Sequence, residues 1–229
     1  MSQKIFITSD THFFHTRAIE LCNRPFSDMK QMNDHLMDRI NTLVGPGDIL
    51  FHLGDLCFRD KTRPEISHMD CCREILDKIR CKNIRFIVGN HDPITKSGQP
   101  KQEFADMVSS CRTMDIFKFP IGETMSSKRV RVFLCHYAML TYPSYGNMYH
   151  MFGHSHGGLD HPHLRALDVG VDCWNYEPIT FHQVIERVKQ REIAQTNSIN
   201  NIRANITAQR ESYDNLRQSS LEKFPINRK

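Results

Sequence analysis

No stretch of this sequence approaches the roughly 18 consecutive apolar residues that a membrane-spanning helix requires. Nothing near Met1 resembles a secretory leader, because Lys4 is followed by only a short apolar-leaning run before Ser9 and Asp10. A cytoplasmic protein without a membrane partner is expected. The eight cysteines include no C-x-x-C pair that would suggest a thiolate zinc site or a redox motif. They also lack the short, loop-rich frame of a disulfide scaffold. Cys57, Cys81, Cys135 and Cys173 lie within or beside apolar runs, and Cys71-Cys72 sits in a helical pattern, so buried free thiols are expected. No internal repeat occurs, and no linker rich in Gly, Ser or Pro divides the chain.

Charge of one sign is scarce except at the end. Residues 1–182 carry 21 basic and 21 acidic residues, whereas residues 183–229 carry 9 and 5, so the net +4 lies wholly in the tail. A modest basic tail is usually a solvated face, with nucleic acid as the minority reading. With 229 residues the chain suffices for one α/β domain with a buried core. The expected organisation is a domain over 1–182 and a helical, basic extension over 183–229.

What the chain does have is a repeated design: short apolar runs that stop at ligand-type residues. Residues 4–9 read as a strand ending at Asp10-Thr11-His12, and 48–53 as one ending at Gly54-Asp55. Residues 84–88 end at Gly89-Asn90-His91-Asp92, 130–134 lead to His136, and 148–152 to Gly153-His154-Ser155-His156. A final strand is expected over 164–171, before Trp174 and a helix from about Thr180. Residues 117–121 and 130–134 read as paired strands with a turn at Gly122-Glu123-Thr124. Helical patterns fall at 16–22, at 28–44 behind a Ser27 cap, at 62–80, and near 104–108. Helices alternating with strands, then strands in hairpins, predict mixed sheets covered by helices.

The i, i+2 spacing of Asp10-x-His12 and His154-x-His156 turns each pair to one side of an extended segment. Oxygen and imidazole donors without thiolate suit Mn, Fe, Zn, Ni or Co. Seven such residues (Asp10, His12, Asp55, Asn90, His136, His154 and His156) exceed one ion's needs and suit two, which can hold both oxygens of a phosphoryl transfer. Two dications, two carboxylates and a bridging hydroxide leave a net charge of +1. The neutral Asn90 preserves that surplus for a phosphate anion.

Together these five blocks, in this order over residues 4–175, resemble the calcineurin-like metallophosphoesterase family, in its small stand-alone bacterial and phage-type branch. The resemblance implies an α/β fold of two mixed β-sheets in a sandwich flanked by helices, with a C-terminal helical tail. It implies that Asp10, His12 and His156 hold one metal and Asn90, His136 and His154 the other, with Asp55 bridging. It further implies that His91 is a proton donor supported by Asp92. Protein Ser/Thr phosphatases of the superfamily follow Gly-Asp with Val-Asp-Arg-Gly. Here Leu56-Cys57-Phe58-Arg59-Asp60 follows instead, which argues against a phosphoprotein substrate.

The expected activity is hydrolysis of a phosphodiester, of nucleotide or cyclic-nucleotide type, by two divalent ions, manganese first among them, and a bridging hydroxide. A phosphomonoesterase, a nuclease acting on DNA or RNA, and a non-catalytic scaffold are the alternatives. Arg24, Arg59 and His15 are candidate substrate contacts. Tyr137 and Tyr142 can line the cleft or simply pack. His52 is expected as a hydrogen-bonded core residue, and His161 and His163 as surface groups. Expected partners are a phosphate ester or nucleotide, nucleic acid, and a second copy of the chain through the C-terminal helix.

Overall fold

The run Ile5–Thr8 is buried throughout, as a strand covered on both faces must be. The structure, a computed structural model, describes residues 3–121, 128–144, 147–161 and 163–223. The first strand, β1 (Ile5–Thr8), pairs in parallel with β2 (Ile49–His52), β2 with β3 (Ile84–Ile87), and β3 with β4 (Ser110–Arg112). On its other edge β1 takes the antiparallel two-residue β9 (Ile179–Thr180). The second sheet runs β5 (Met114–Pro120), β6 (Arg129–Cys135), β7 (Tyr149–Phe152) and β8 (Ala166–Asp168). In it β5 and β6 are antiparallel and the other two pairs parallel. Both sheets are mixed, as expected.

The sheets meet through aromatic rings: Phe51 on β2 lies 4.9 Å from Phe117 and 5.2 Å from Phe119 on β5, centroid to centroid. Helices cover the other face of the first sheet. Met32, Leu36 and Ile40 of α2 (Met29–Leu43) and Cys72, Ile75 and Leu76 of α3 (His68–Lys78) bury with Phe6, Leu50 and Phe86. Two short helices, α1 (Thr16–Leu21) and α4 (Gln102–Ala105), lie between strands. The last helix is α5 (Phe181–Lys223). The chain divides into two compact units, Met1–Glu186 and Arg187–Lys229. No described helix is long and apolar enough to cross a membrane. All eight cysteines are free, and five of them are buried.

Several boundaries differ from the sequence expectation. The cap of α2 is Asp28, whose carboxylate accepts the Gln31 N–H at 2.8 Å, while the Ser27 hydroxyl donates to Asp28. The third helix begins at His68, not near 62, because Pro64 disfavours an early start and Ser67 with Asp70 makes a capping box. The residues ahead of it form a loop tied by Arg63, which donates to Asp60 at 2.7 Å and to Glu74 at 2.8 Å. The final strand of the sandwich is only Ala166–Asp168, followed by a 3-10 turn at Val171–Cys173. The expected turn at Gly122-Glu123-Thr124 lies outside the described residues.

Candidate metal centre

Each ligand-type residue lies within four residues of the end of a strand. Asp10 and His12 follow β1, Asp55 follows β2, Asn90 follows β3, His136 follows β6, and His154 and His156 follow β7. Carboxyl ends of parallel strands are where α/β sheets open a crevice. The tips are continuous with the sheet, since Asp10 N donates to Gly54 O at 3.0 Å and His12 N to Asp55 O at 3.1 Å.

The backbone is strained at the ligands. Asp10, His12, Asp55, His154 and His156 all adopt left-handed φ, between 47° and 66°. Each such non-glycine residue costs about 1–3 kcal/mol and persists only where its surroundings hold it. Glycines allow the close approach. A Cβ on Gly153 would meet Asp10 Oδ2 at 2.2 Å, and one on Gly89 would meet Asp55 Oδ1 at 2.2 Å.

Two ligand groups result. Asp10, His12 and His156 form one, and Asp55, His136 and His154 the other. Asn90 joins the second, its Oδ1 3.1 Å from His136 Nε2. Asp55 Oδ2 stands between the groups, 3.7 Å from His12 Nε2 and 3.5 Å from His136 Nε2. The buried His12 ring has no hydrogen-bond partner on either nitrogen. An orphaned imidazole beside two carboxylates fits a divalent ion, which would supply the missing partner.

The electrostatics point the same way. Burial is the largest influence on Asp10 and pushes its carboxyl up to about 7. Burial also works to raise Asp55, but His136, then His12 and the His91 N–H, outweigh it and hold the carboxyl below the usual range. Burial opposes charge on His136, yet Asp55 and Asp10 bring it up to about 9. His156 rises to about 10, because Asp172, Cys22 and Asp10 overcome burial. Positive charge is therefore wanted here, and protons on two imidazoles supply it when nothing else does.

The remaining candidates fall differently. His91 is exposed; its N–H donates to Asp55 Oδ1 at 2.9 Å, and its ring packs 4.5 Å from Phe58. Asp92 does not support that ring. It is buried and accepts N–H groups of Gly89 at 2.7 Å, Asp55 at 2.8 Å and Leu56 at 2.9 Å, so it clamps two ligand loops together. His15 does reach the site, stacked on Phe58 at 3.7 Å and tilted against His12 at 5.4 Å. Burial lowers its imidazole to about 4, so it is neutral at pH 7.

Arg24 offers no fork to a substrate. It is buried, and its guanidinium donates to both Asp172 oxygens at 2.8 Å, to Asp10 O at 2.8 Å and to Thr11 O at 3.0 Å. Arg59 is exposed and donates to the carbonyls of Ile66 and Pro64. Tyr142 packs, stacked on Phe133, while the half-exposed Tyr137 sits at the rim, 4.9 Å from the His154 ring. His52 is a core residue bonded to Thr11 at 3.0 Å, as expected. His161 is not a surface group: it is buried, with Nε2 3.1 Å from Met139 O, and His163 Nε2 lies 2.9 Å from Leu140 O.

Sequence reading missed Asp172, whose Oδ2 lies 2.7 Å from His156 Nδ1 and which thus orients a ligand. It also missed Asp168, which accepts from Ser155 and from the Gly157 N–H. The signal was present: the last strand also ends in acids, Asp168 and Asp172, around Gly170.

Fold and site together define a class, an α/β sandwich whose strand ends gather carboxylates and imidazoles suited to divalent cations. The calcineurin-like phosphoesterase family matches residues 3–174, and the chain belongs to that family. Membership implies divalent metal ions and a hydrolase acting on phosphate esters. The chain is 28% identical over 200 residues to the uncharacterized protein MJ1445 of Methanocaldococcus jannaschii, covering 85% of this chain and 96% of that one. Its fold is similar to the crystal structure of the protein of unknown function AQ665 from Aquifex aeolicus, with a TM-score of 0.56 and 18% identity, over 81% of this chain and 99% of that one.

Proposed function

We propose that this chain is a phosphodiesterase that works with two divalent ions, one in each ligand group, bridged by Asp55. The observation that carries this reading is the position of the Asp55 carboxylate, 3.7 Å from His12 and 3.5 Å from His136. Ions held there would activate water as a nucleophile and neutralise charge on the phosphoryl oxygens. His91, exposed on the solvent side, protonates the leaving alkoxide. Its ring is kept in place by Phe58, on which His15 stacks. Asp172 and Arg24 keep His156 oriented, and Asp92 holds the loops of Asp55 and His91 in register.

The preference for a diester rests on charge. A monoester carries about −1.5 to −2 at neutral pH, and such enzymes profit from a cationic fork on the outer oxygens. Arg24 is spent inside, and Arg59 gives Nε and Nη2 to loop carbonyls. A diester, with one charge, asks less of the rim. Manganese is the ion to try first, and the physiological ester is of nucleotide or cyclic-nucleotide type.

The test is a panel of monoesters, linear and cyclic diesters and single-stranded nucleic acid, assayed with Mn²⁺ alongside elemental analysis. Two ions per chain and a higher kcat/KM for a diester are expected. Asp55→Asn should weaken both ions, because one carboxylate serves each. One tightly bound ion indifferent to that change would overturn the two-metal reading. Faster turnover of the monoester would overturn the diester preference, and no turnover by the loaded protein would favour a scaffold.

A further inference from the structure

A second convergence of ligand atoms lies behind the Asp55 loop and uses none of the residues of the centre described above. We infer that Cys57, His68 and Cys72 form a separate zinc site. The sulfurs of Cys57 and Cys72 are 3.4 Å apart, and both side chains are fully buried. His68 places Nε2 2.9 Å from the Cys57 carbonyl oxygen, and its ring interacts with the Cys72 thiol. One ligand atom from each of the three lies within 4.8 Å of the others.

The fold explains the meeting. His68 and Cys72 are four apart on α3 and share a helix face. Cys57 follows Leu56, which Asp92 holds by its N–H, and precedes Phe58, whose N–H donates to Phe13 O at 2.8 Å. The neighbouring Cys71 is turned elsewhere, toward the Asp60 N–H at 3.5 Å. Three protein ligands remain.

Ligand chemistry selects the ion. Thiolate with imidazole favours zinc, whereas the oxygen-rich centre suits harder ions as well. Two thiolates, a neutral imidazole and Zn²⁺ sum to zero charge, which an apolar interior accepts; two bare thiolates it would not. A Zn–S bond of about 2.3 Å sets tetrahedral sulfurs about 3.8 Å apart, so the pair opens by only ~0.4 Å. A backbone carbonyl on one imidazole nitrogen is the outer contact that fixes a ligating histidine. Zinc here staples α3 to the chain two residues beyond Asp55.

Cobalt(II) is the probe, titrated into reduced, metal-free, full-length protein. Thiolate ligation gives a near-ultraviolet charge-transfer band that oxygen and imidazole ligands do not. The band is expected in the parent protein and to vanish when zinc is added. It should be lost in Cys57→Ser/Cys72→Ser and retained in Cys22→Ser, which removes the thiol beside His156. His68→Ala should weaken cobalt binding at least tenfold, and this variant carries the test if the double serine variant fails to fold. A folded parent without the band overturns the site, as does a band that survives the double substitution. Zinc-supplemented protein isolated with a Cys57–Cys72 disulfide by peptide mass mapping overturns it too. Phosphoesterase activity is not a readout, so failure here leaves the phosphodiester reading standing.

Discussion

His91 and Asp92 are neighbours with opposite surroundings, one exposed at the rim and the other sealed beneath it. This separation predicts different phenotypes. His91→Ala should keep its metals and lose roughly 10²–10⁴-fold in rate, the usual worth of a positioned acid. The loss should be large for an alkoxide leaving group and small for a nitrophenolate, which leaves without a proton. Equal losses on both, measured as kcat, would show that His91 does not act as the acid. Asp92→Asn should instead cost stability, because an amide NH₂ would confront N–H groups that now share three bonds to the carboxylate. A loss of about 1–3 kcal/mol follows from leaving such a buried donor unsatisfied. Denaturant unfolding checks it, and unchanged stability would mean that the loops hold without the clamp.

At the level of elements, the sequence exposed the site because each ligand stretch combines an apolar run, a stop and a ligand. Gly89 and Gly153 mark strand ends in the sequence, and after Gly153 the ligands His154 and His156 take left-handed φ. Partners distant in sequence were not legible. Arg24 and Asp172 are 148 residues apart, and only the fold shows them as one salt bridge. The edge strands β4 and β9, three and two residues long, are too short for any alternation to register. Apolar spacing alone puts the start of α3 too early, because it does not report Pro64 and the Ser67–Asp70 box. A C-terminal helix is present as expected through Lys223, and Ile193, Ile199, Ile202 and Ile206 are exposed along it. Deleting residues 196–229 should leave turnover of a small diester within a few-fold while altering self-association. Light scattering and diester kinetics on the two proteins check this; a folded, metal-loaded but inactive truncation would refute it.

For the molecule as a whole, the centre links metal uptake to pH. In metal-free protein His136 at about 9 and His156 at about 10 are charged at pH 7, against about 6.5 when unfolded. Charge on them stabilises the fold fully below pH 6.5, and that contribution disappears as pH rises through 9 to 10. Metal requires both rings neutral, so binding at pH 7 should release about two protons, with a further fraction from Asp10 at about 7. Affinity should therefore climb from pH 6 to pH 9. Calorimetry in buffers of different ionisation enthalpy measures the release, and a heat independent of buffer would contradict it.

The crowding of Gly89 and Gly153 against the two carboxylates has a consequence for how this scaffold can be altered. A single added methyl on either glycine collides with Asp55 or Asp10, so the floor of the centre admits almost no variation. Of the residues around the opening, Phe58 and His15 are packed against His12 and His91, while Tyr137 is exposed and is under no such restriction. Chemistry and selectivity are thus separable at Tyr137. A library centred on Tyr137 can be screened for new esters with the ligands left untouched, whereas changes at Phe58 or His15 also disturb the packing of His91.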